Sequence, residues 1–137
     1  RRGNGAVATV AAAPGRDSQA LRLRLDGRPL TNGAGASQVM LLASGAYRLE
    51  GLAYADGAQV LPESEWSVDC LAPRVQRLGA ATARPTRSWN RFALDFRVPE
   101  RDCTAQRLQL TVRASGRDAG AELWFDALSL TTAVAGP

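Results

Sequence analysis

The segment Leu21-Arg22-Leu23-Arg24-Leu25-Asp26 decides the fold class, because apolar and charged residues alternate at every position in it. Successive side chains of a β-strand point to opposite faces, so the three leucines would share one buried face and the charged residues the other. The same period of two recurs further along the chain, in residues 47–50, 65–70, 92–98 and 108–113. The pattern predicts half-buried strands along most of the sequence.

Turn-forming residues separate these segments at short intervals. The breakers are Pro14-Gly15, Asp26-Gly27, Asn32-Gly33, Ser44-Gly45, Asp56-Gly57, Pro62, Pro73, Pro85, Pro99, Ser115-Gly116 and Gly120. No stretch of helical length carries apolar residues at helical spacing without such a breaker. Eight or nine short strands divided by turns predict an all-β, antiparallel sandwich or barrel.

Length and composition predict one globular domain over residues 1–137. The chain is 45% hydrophobic and 22% charged, close to the average for soluble globular proteins, so a sizeable core can form. No apolar run approaches the ~18 residues of a membrane span, and the longest, residues 39–43, has the length of a strand. Residues 6–13 lack large apolar side chains, so we expect a first strand there in a chain already without its leader.

The basic residues restrict the possible functions. All 17 cationic residues are arginine, histidine and lysine are absent, and the net charge is +4. Without histidine, Ser-His-Asp catalysis, His-ligated zinc and imidazole acid–base chemistry are excluded. The absence of lysine and isoleucine with abundant alanine, arginine and glycine is typical of a GC-rich bacterial genome. The modest charge and the lack of any groove-reading helix or RNP-like motif argue against nucleic-acid binding.

Cys70 and Cys103 have no metal-binding spacing and form an even number of cysteines. In a bacterial protein this suits one structural disulfide formed in the periplasm or outside the cell. A bridge closing a loop of roughly thirty residues would contribute about 3–4 kcal/mol in the chain-entropy model. The alternative is two buried thiols in a cytosolic protein.

The segment Leu123-Trp124-Phe125-Asp126-Ala127-Leu128-Ser129-Leu130 changes phase in the middle. Leu123 and Phe125 share one parity, whereas the two later leucines share the other. A slip of one residue is what a β-bulge produces, so we expect a bulge at Asp126–Ala127. There the Asp126 carboxylate could accept backbone N–H groups or help to bind a calcium ion.

Three segments in order resemble jelly-roll carbohydrate-binding modules, a galactose-binding-like group. Residues 123–130 are similar to the closing strand of these modules, which reads aromatic or apolar, Phe, Asp, Asp, Val, any residue, Leu. Residues 38–49 resemble their Q-x-(apolar run)-G-x-Y-x-L segment. Residues 89–99 resemble their W-x-x-(aromatic)…F-x-V-P segment. The resemblance covers roughly residues 20–130, with the segments in the order of the family.

The resemblance implies a jelly roll of about eight or nine strands, an exported bacterial protein and a glycan ligand. It implies Asp126 as a ligand of a structural calcium ion. The chain departs from the pattern at Ala127, where these modules have a second aspartate, and it shows no G-F-E-x-G segment before Val7. The same fold also occurs as an appended domain of larger exported proteins.

Aromatic side chains that stack on sugar rings are the expected means of binding. The residues predicted to lie in the core, from parity and spacing, are Tyr47, Trp66, Phe92, Phe96 and Phe125. Tyr54 takes the opposite parity, on the face of Arg48 and Glu50. Trp124 is outward before the bulge, and Trp89 stands at a strand entry among arginines. These five residues (Tyr54, Trp124, Trp89, Arg48 and Glu50) are the predicted ligand contacts.

Other charged residues suggest two further hypotheses. Six arginines on non-core parity could form a cationic face for an acidic polymer, or an ordinary solvated face. They are Arg22, Arg24, Arg48, Arg97, Arg107 and Arg113. Glu63 and Glu65 have the spacing of two carboxylates on one strand face, but such pairs are common by chance, and we expect no catalysis.

The sequence therefore predicts a non-catalytic carbohydrate-binding module that recognises a polysaccharide or glycan in a larger periplasmic or extracellular bacterial protein. The alternative is a structural or protein-interaction β-sandwich that docks against a partner or other domains of its parent chain. An exposed aromatic row in a groove would favour sugar. A flat apolar patch around Leu52 and Trp124 would favour a protein partner.

Overall fold

The computed structural model describes residues 6–25, 34–59, 61–113 and 119–133, which form nine β-strands and no helix. The strands are β1 (Ala6–Ala12), β2 (Gln19–Leu25), β3 (Ala34–Met40), β4 (Gly45–Asp56), β5 (Glu63–Ala72), β6 (Gln76–Ala83), β7 (Asn90–Val98), β8 (Ala105–Arg113) and β9 (Glu122–Thr132). All pairings are antiparallel, which confirms the predicted fold class. Asp26, the end of the first alternating segment, lies outside the described residues.

The strands form two sheets. The order is β1-β2-β9-β4-β7 in the five-stranded sheet and β3-β8-β5-β6 in the four-stranded sheet. From β2 to β5, and again from β6 to β9, the chain changes sheet at every step, and this crossing builds a jelly-roll sandwich. Within the described parts of the chain, no helix is long and apolar enough to cross a membrane.

The core lies between the two sheets. In β4 the odd-numbered residues 47–55 are buried and the even-numbered ones are partly exposed, as the period of two requires. Trp66 of the four-stranded sheet stacks on Phe92 of the other, with ring centroids 5.7 Å apart. Phe125 meets both rings edge-on. The predicted core aromatic residues are all buried: Tyr47, Trp66, Phe92, Phe96 and Phe125.

A disulfide joins Cys70 and Cys103, as the sequence predicts, with their Cα atoms 5.3 Å apart. Cys70 lies near the end of β5, and Cys103 lies in the loop before β8. Both cysteines are buried in the core. The loop is fixed further by the Thr104 amide, which donates to the Ala72 carbonyl at 2.9 Å. The bridge thus holds the β7–β8 loop against the four-stranded sheet.

The predicted bulge in β9 is confirmed. Glu50 of β4 pairs with Ser129, but Leu52, two residues later, pairs with Asp126, so that Ala127 and Leu128 both lie opposite Gly51. Ala127 adopts a left-handed backbone conformation with φ of 53°. The slip moves the outward side chains of β9 from even to odd numbers.

Candidate functional site

The five predicted ligand contacts lie on or beside the outer face of the five-stranded sheet. In β4, Arg48, Glu50 and Tyr54 alternate with buried residues. Trp124 of β9 is the cross-strand neighbour of Tyr54. Trp89, in the loop before β7, stacks on the Tyr54 ring with centroids 5.2 Å apart and planes 26° from parallel. The residues predicted from the parity of separate segments thus lie on one surface.

The prediction of Trp124 as a ligand contact needs a correction. It faces outward as predicted, but it is only 6% exposed, because Ala13 of the β1–β2 loop and the half-buried Trp89 pack on the same small cluster. Its ring therefore supports this surface from beneath and offers no open stacking face. Trp124 therefore adds no surface to a flat apolar patch with Leu52, the feature that would favour a protein partner.

Glu122 binds two arginines of the neighbouring strand. Arg22 donates to the Glu122 Oε2 atom at 2.5 Å and Arg24 at 3.1 Å. Burial raises the pKa of Glu122, but the hydrogen bonds and charges of both arginines outweigh that effect and hold the pKa below its usual range. The Arg22 guanidinium also lies over the Trp124 ring, 5.4 Å from its centroid, as a cation–π contact.

Asp126, the predicted calcium ligand, sits at the bulge and is engaged by three hydrogen bonds. Arg16 Nε donates to Oδ2 at 2.6 Å and Ser18 Oγ at 2.5 Å, while the Ala127 amide donates to Oδ1 at 2.7 Å. Burial raises the pKa of Asp126, but these donors together hold it below its usual range. Both of the interpretations from sequence involved Asp126, and neither included Arg16, which is 110 positions away in the chain.

These neighbours do not fit calcium. Calcium takes six to eight oxygen ligands, usually with more than one carboxylate. The described residues contain no group of three acidic, cysteine or histidine side chains that could hold a metal ion. At Asp126 a guanidinium bonds directly to the carboxylate, and a divalent cation at that oxygen would be repelled by it.

A cavity of about 270 Å³ opens on the outer face of the five-stranded sheet. It is lined by Glu50, Gly51, Leu52, Arg91, Ala127 and Ser129. The bulge shapes it, because Ser129 faces outward only after the slip in β9 and Ala127 contributes only a methyl group. Of these residues only Glu50 was predicted as a contact. The alternation of β7, in which Arg91 is exposed between half-buried Asn90 and buried Phe92, was the signal for Arg91.

The six outward arginines do not form one cationic face. Arg22, Arg24, Arg48 and Arg97 belong to the five-stranded sheet, and Arg107 and Arg113 belong to the four-stranded sheet. Several are neutralised locally, since Arg48 lies 3.5 Å from Asp95 and 4.0 Å from Glu50. On the other sheet Asp69 lies 3.9 Å from Arg107.

A second, smaller cavity of about 100 Å³ lies on the four-stranded sheet. It is lined by Glu63, Ser64, Glu65, Thr82, Thr111 and Arg113. Glu63 and Glu65 share a strand face as predicted, and Arg113 is the cross-strand partner of Glu63. No aromatic residue lines this cavity.

Comparison of the sequence with protein-family models and with curated proteins gives no match. Solved structures with a similar fold include the CBM22-1 xylan-binding domain of Paenibacillus barcinonensis Xyn10C, with a TM-score of 0.68 and 15% identity over 96% of this chain and 84% of that one. A CBM4 structure has a TM-score of 0.67 and 16% identity over 96% and 80% of the two chains.

A third similar structure is TmCBM61 in complex with β-1,4-galactotriose, with a TM-score of 0.60 and 15% identity over 96% of this chain and 92% of that one. At such identities the likeness concerns the fold. The strand content and the sheet topology agree with these structures. The chain therefore shares the jelly-roll fold of these carbohydrate-binding modules.

Proposed function

We propose that this domain is a non-catalytic carbohydrate-binding module that holds a polysaccharide or glycan in the 270 Å³ cavity between β4, β7 and β9. The observation that carries the proposal is the lining of this cavity. The lining combines a carboxylate (Glu50), a guanidinium (Arg91) and a hydroxyl (Ser129) with apolar surface from Leu52 and Ala127. Small-molecule sites generally combine apolar surface with a few polar groups that fix the orientation of the ligand.

Each side chain has a chemical role in this proposal. Glu50 accepts hydrogen bonds from sugar hydroxyls, Arg91 donates them, and Ser129 does either. The half-buried Tyr54 ring follows Leu52 on the outer face of β4 and stacks on the next sugar of a chain, while Trp89 packs against it and holds it in place. The Tyr54 hydroxyl donates to an Asp56 oxygen at 3.0 Å, a bond that raises the pKa of Tyr54 and fixes its ring.

We place no catalytic step in this domain. Glycoside hydrolysis generally uses two carboxyl groups that flank the scissile bond. The proposed cavity contains only one among its lining residues, Glu50. The similarity to CBM4, CBM22 and CBM61 structures also supports a binding role rather than a catalytic one.

We also propose that the domain is part of a larger periplasmic or extracellular protein of a bacterium. The Cys70–Cys103 disulfide fits an oxidising compartment. Another solved structure of this fold is a CBM22-1–GH10 two-module piece of Clostridium thermocellum Xyn10B complexed with xylohexaose, of which this chain matches 25%. Such an arrangement supports a role as one module among others.

The test is a glycan array that includes neutral and acidic polysaccharides, followed by isothermal titration calorimetry with a bound oligosaccharide. We expect Glu50→Gln and Arg91→Ala each to weaken binding about tenfold or more, because a hydrogen bond to a charged group contributes about 1.5–3 kcal/mol. Arg101→Ala, an exposed arginine in the β7–β8 loop, is the matched control and should bind as tightly as the unchanged domain.

Two results would overturn the proposal. Loss of binding in Glu65→Gln with full binding in Glu50→Gln would move the ligand to the four-stranded sheet. If the array shows no ligand at all, the structural or protein-interaction role becomes the better account of this domain.

A further inference from the structure

The β1–β2 loop, residues 13–18, crosses the end of the five-stranded sheet and is fastened there at two places. The Trp89 indole N–H donates to the Pro14 carbonyl at 2.8 Å. Arg16 and Ser18 both donate to the same oxygen of Asp126. The loop therefore depends on one carboxylate of β9 and one ring of the β6–β7 loop.

The Asp126 carboxylate is nearly buried, with 7% of its side chain exposed. A carboxylate removed from water is costly unless a positive charge and hydrogen-bond donors replace the solvent. Many proteins meet this requirement with a metal ion. Here the donors come from Arg16, Ser18 and the Ala127 amide, which together use both carboxylate oxygens.

Arg16 is itself held in place. Its guanidinium lies over the Trp89 ring, 5.6 Å from the centroid, and its side chain keeps 35% of its surface exposed. Arginine is suited to such a position because its planar group can bond a carboxylate at one edge and stack on an aromatic ring. The same ring is bonded to the loop backbone at Pro14, so the contacts of Arg16, Trp89 and Asp126 support one another.

We infer that Arg16 supplies the cation of this site from within the chain, so that the domain holds its β1–β2 loop on the Asp126 carboxylate without calcium. Three observations support this inference. Arg16 balances the charge of Asp126, both carboxylate oxygens accept hydrogen bonds, and the Arg16 guanidinium lies over the Trp89 ring. It differs from the calcium site that the sequence resemblance implies, and it stands whether or not the domain binds a glycan.

The first experiment measures metal binding directly, using terbium as a calcium substitute. Trp89 borders the site through Arg16, and so can sensitise terbium luminescence there. We expect the unchanged domain to show no more sensitised emission than Asp126→Asn, and to melt at the same temperature in millimolar calcium chloride and in chelator. Saturable emission that calcium displaces and Asp126→Asn abolishes would overturn the inference, as would a calcium-dependent rise in melting temperature that Asp126→Asn removes.

The second experiment tests the ion pair by a double-mutant cycle. Arg16→Gln and Asp126→Asn should each lower the melting temperature by several degrees. The double variant should melt close to the less stable single variant, because the two side chains act together. Arg97→Gln removes an exposed arginine of β7 and should cost little.

Additive losses in the cycle would show that Arg16 does not act through Asp126 and would overturn the inference. If Arg16→Gln does not fold, Arg16→Lys replaces it in the measurement. Lysine keeps the positive charge but not the planar group, so this variant should retain part of the stability and still show no terbium emission. Terbium emission at Asp126 in the folded Arg16→Lys domain would also contradict a site neutralised from within the chain.

Discussion

At the scale of single residues, Gly51 links the core to the candidate cavity. It lies opposite the bulge of β9, and its position in β4 is an inward one. A Cβ atom built there would lie 2.7 Å from Leu128 Cδ2 and 2.9 Å from Phe92 Cζ. The absence of a side chain at Gly51 therefore lets Phe92 and Leu128 pack against the strand.

We predict that Gly51→Ala lowers the free energy of unfolding by about 1–3 kcal/mol, the usual cost of overpacking a core. Urea denaturation followed by tryptophan fluorescence would measure it. Gly51→Ala combined with Leu128→Ala should recover part of the loss, because one of the two close contacts is then removed. Unchanged stability in Gly51→Ala would show that the bulge adapts without cost and would contradict this packing.

At the scale of strands, the sequence was informative where the contacts are local. The alternation in β4 correctly placed Glu50 and Tyr54 on the outer face, and the phase slip in β9 correctly placed the bulge. Strand parity gives the side of a sheet but not what covers that side. Trp124 is buried because the β1–β2 loop, far away in sequence, packs over it.

The partners of Asp126 were missed for the same physical reason. Arg16 lies in a turn without periodic pattern, and only the folded topology brings it to β9. The cavity depends on the register of β4 with β7 and β9, which aligns Glu50 with Ser129 and Leu52 with Arg91. Single-strand patterns do not contain that register.

The attachment of β9 to β2 through Glu122 predicts a pH dependence. The folded-state pKa of Glu122 is lowered, so its stabilising effect is complete above the unfolded-state pKa and is lost as the pH falls through the folded-state pKa. The loss should begin below about pH 4.3, the ordinary value for glutamate. We expect Glu122→Gln to be less stable at neutral pH and to lose less stability on acidification.

Urea unfolding at a series of pH values from neutral to acid would measure this difference in slope. Glu100→Gln, at an exposed position in the β7–β8 loop, is the matched control. If the free energies of unfolding of Glu122→Gln and of the unchanged domain change in parallel with pH, the bonds from Arg22 and Arg24 do not lower the pKa of Glu122 in the folded state, and the prediction is wrong.

At the scale of the whole molecule, the jelly roll separates stability from the proposed binding. The disulfide lies between the sheets, at the end of β5, and fixes the β7–β8 loop. The larger cavity lies on the outer face of the five-stranded sheet, whereas the disulfide lies on the core side. Removing the disulfide should therefore leave the geometry of the cavity intact.

We predict that the double variant Cys70→Ala, Cys103→Ala lowers the free energy of unfolding by about 2–5 kcal/mol, because its unfolded chain is no longer restrained by a closed loop. Replacing both residues avoids a free thiol in the core. Urea denaturation of this variant beside the oxidised domain gives the loss, and reducing agent should destabilise only the latter. At a temperature where both are folded, their affinities for a glycan should agree within error, since β4, β7 and β9 keep their register. A weaker affinity in the fully folded variant would show that the disulfide end of the sandwich shapes the ligand site, and the separation argued from the topology would then be wrong.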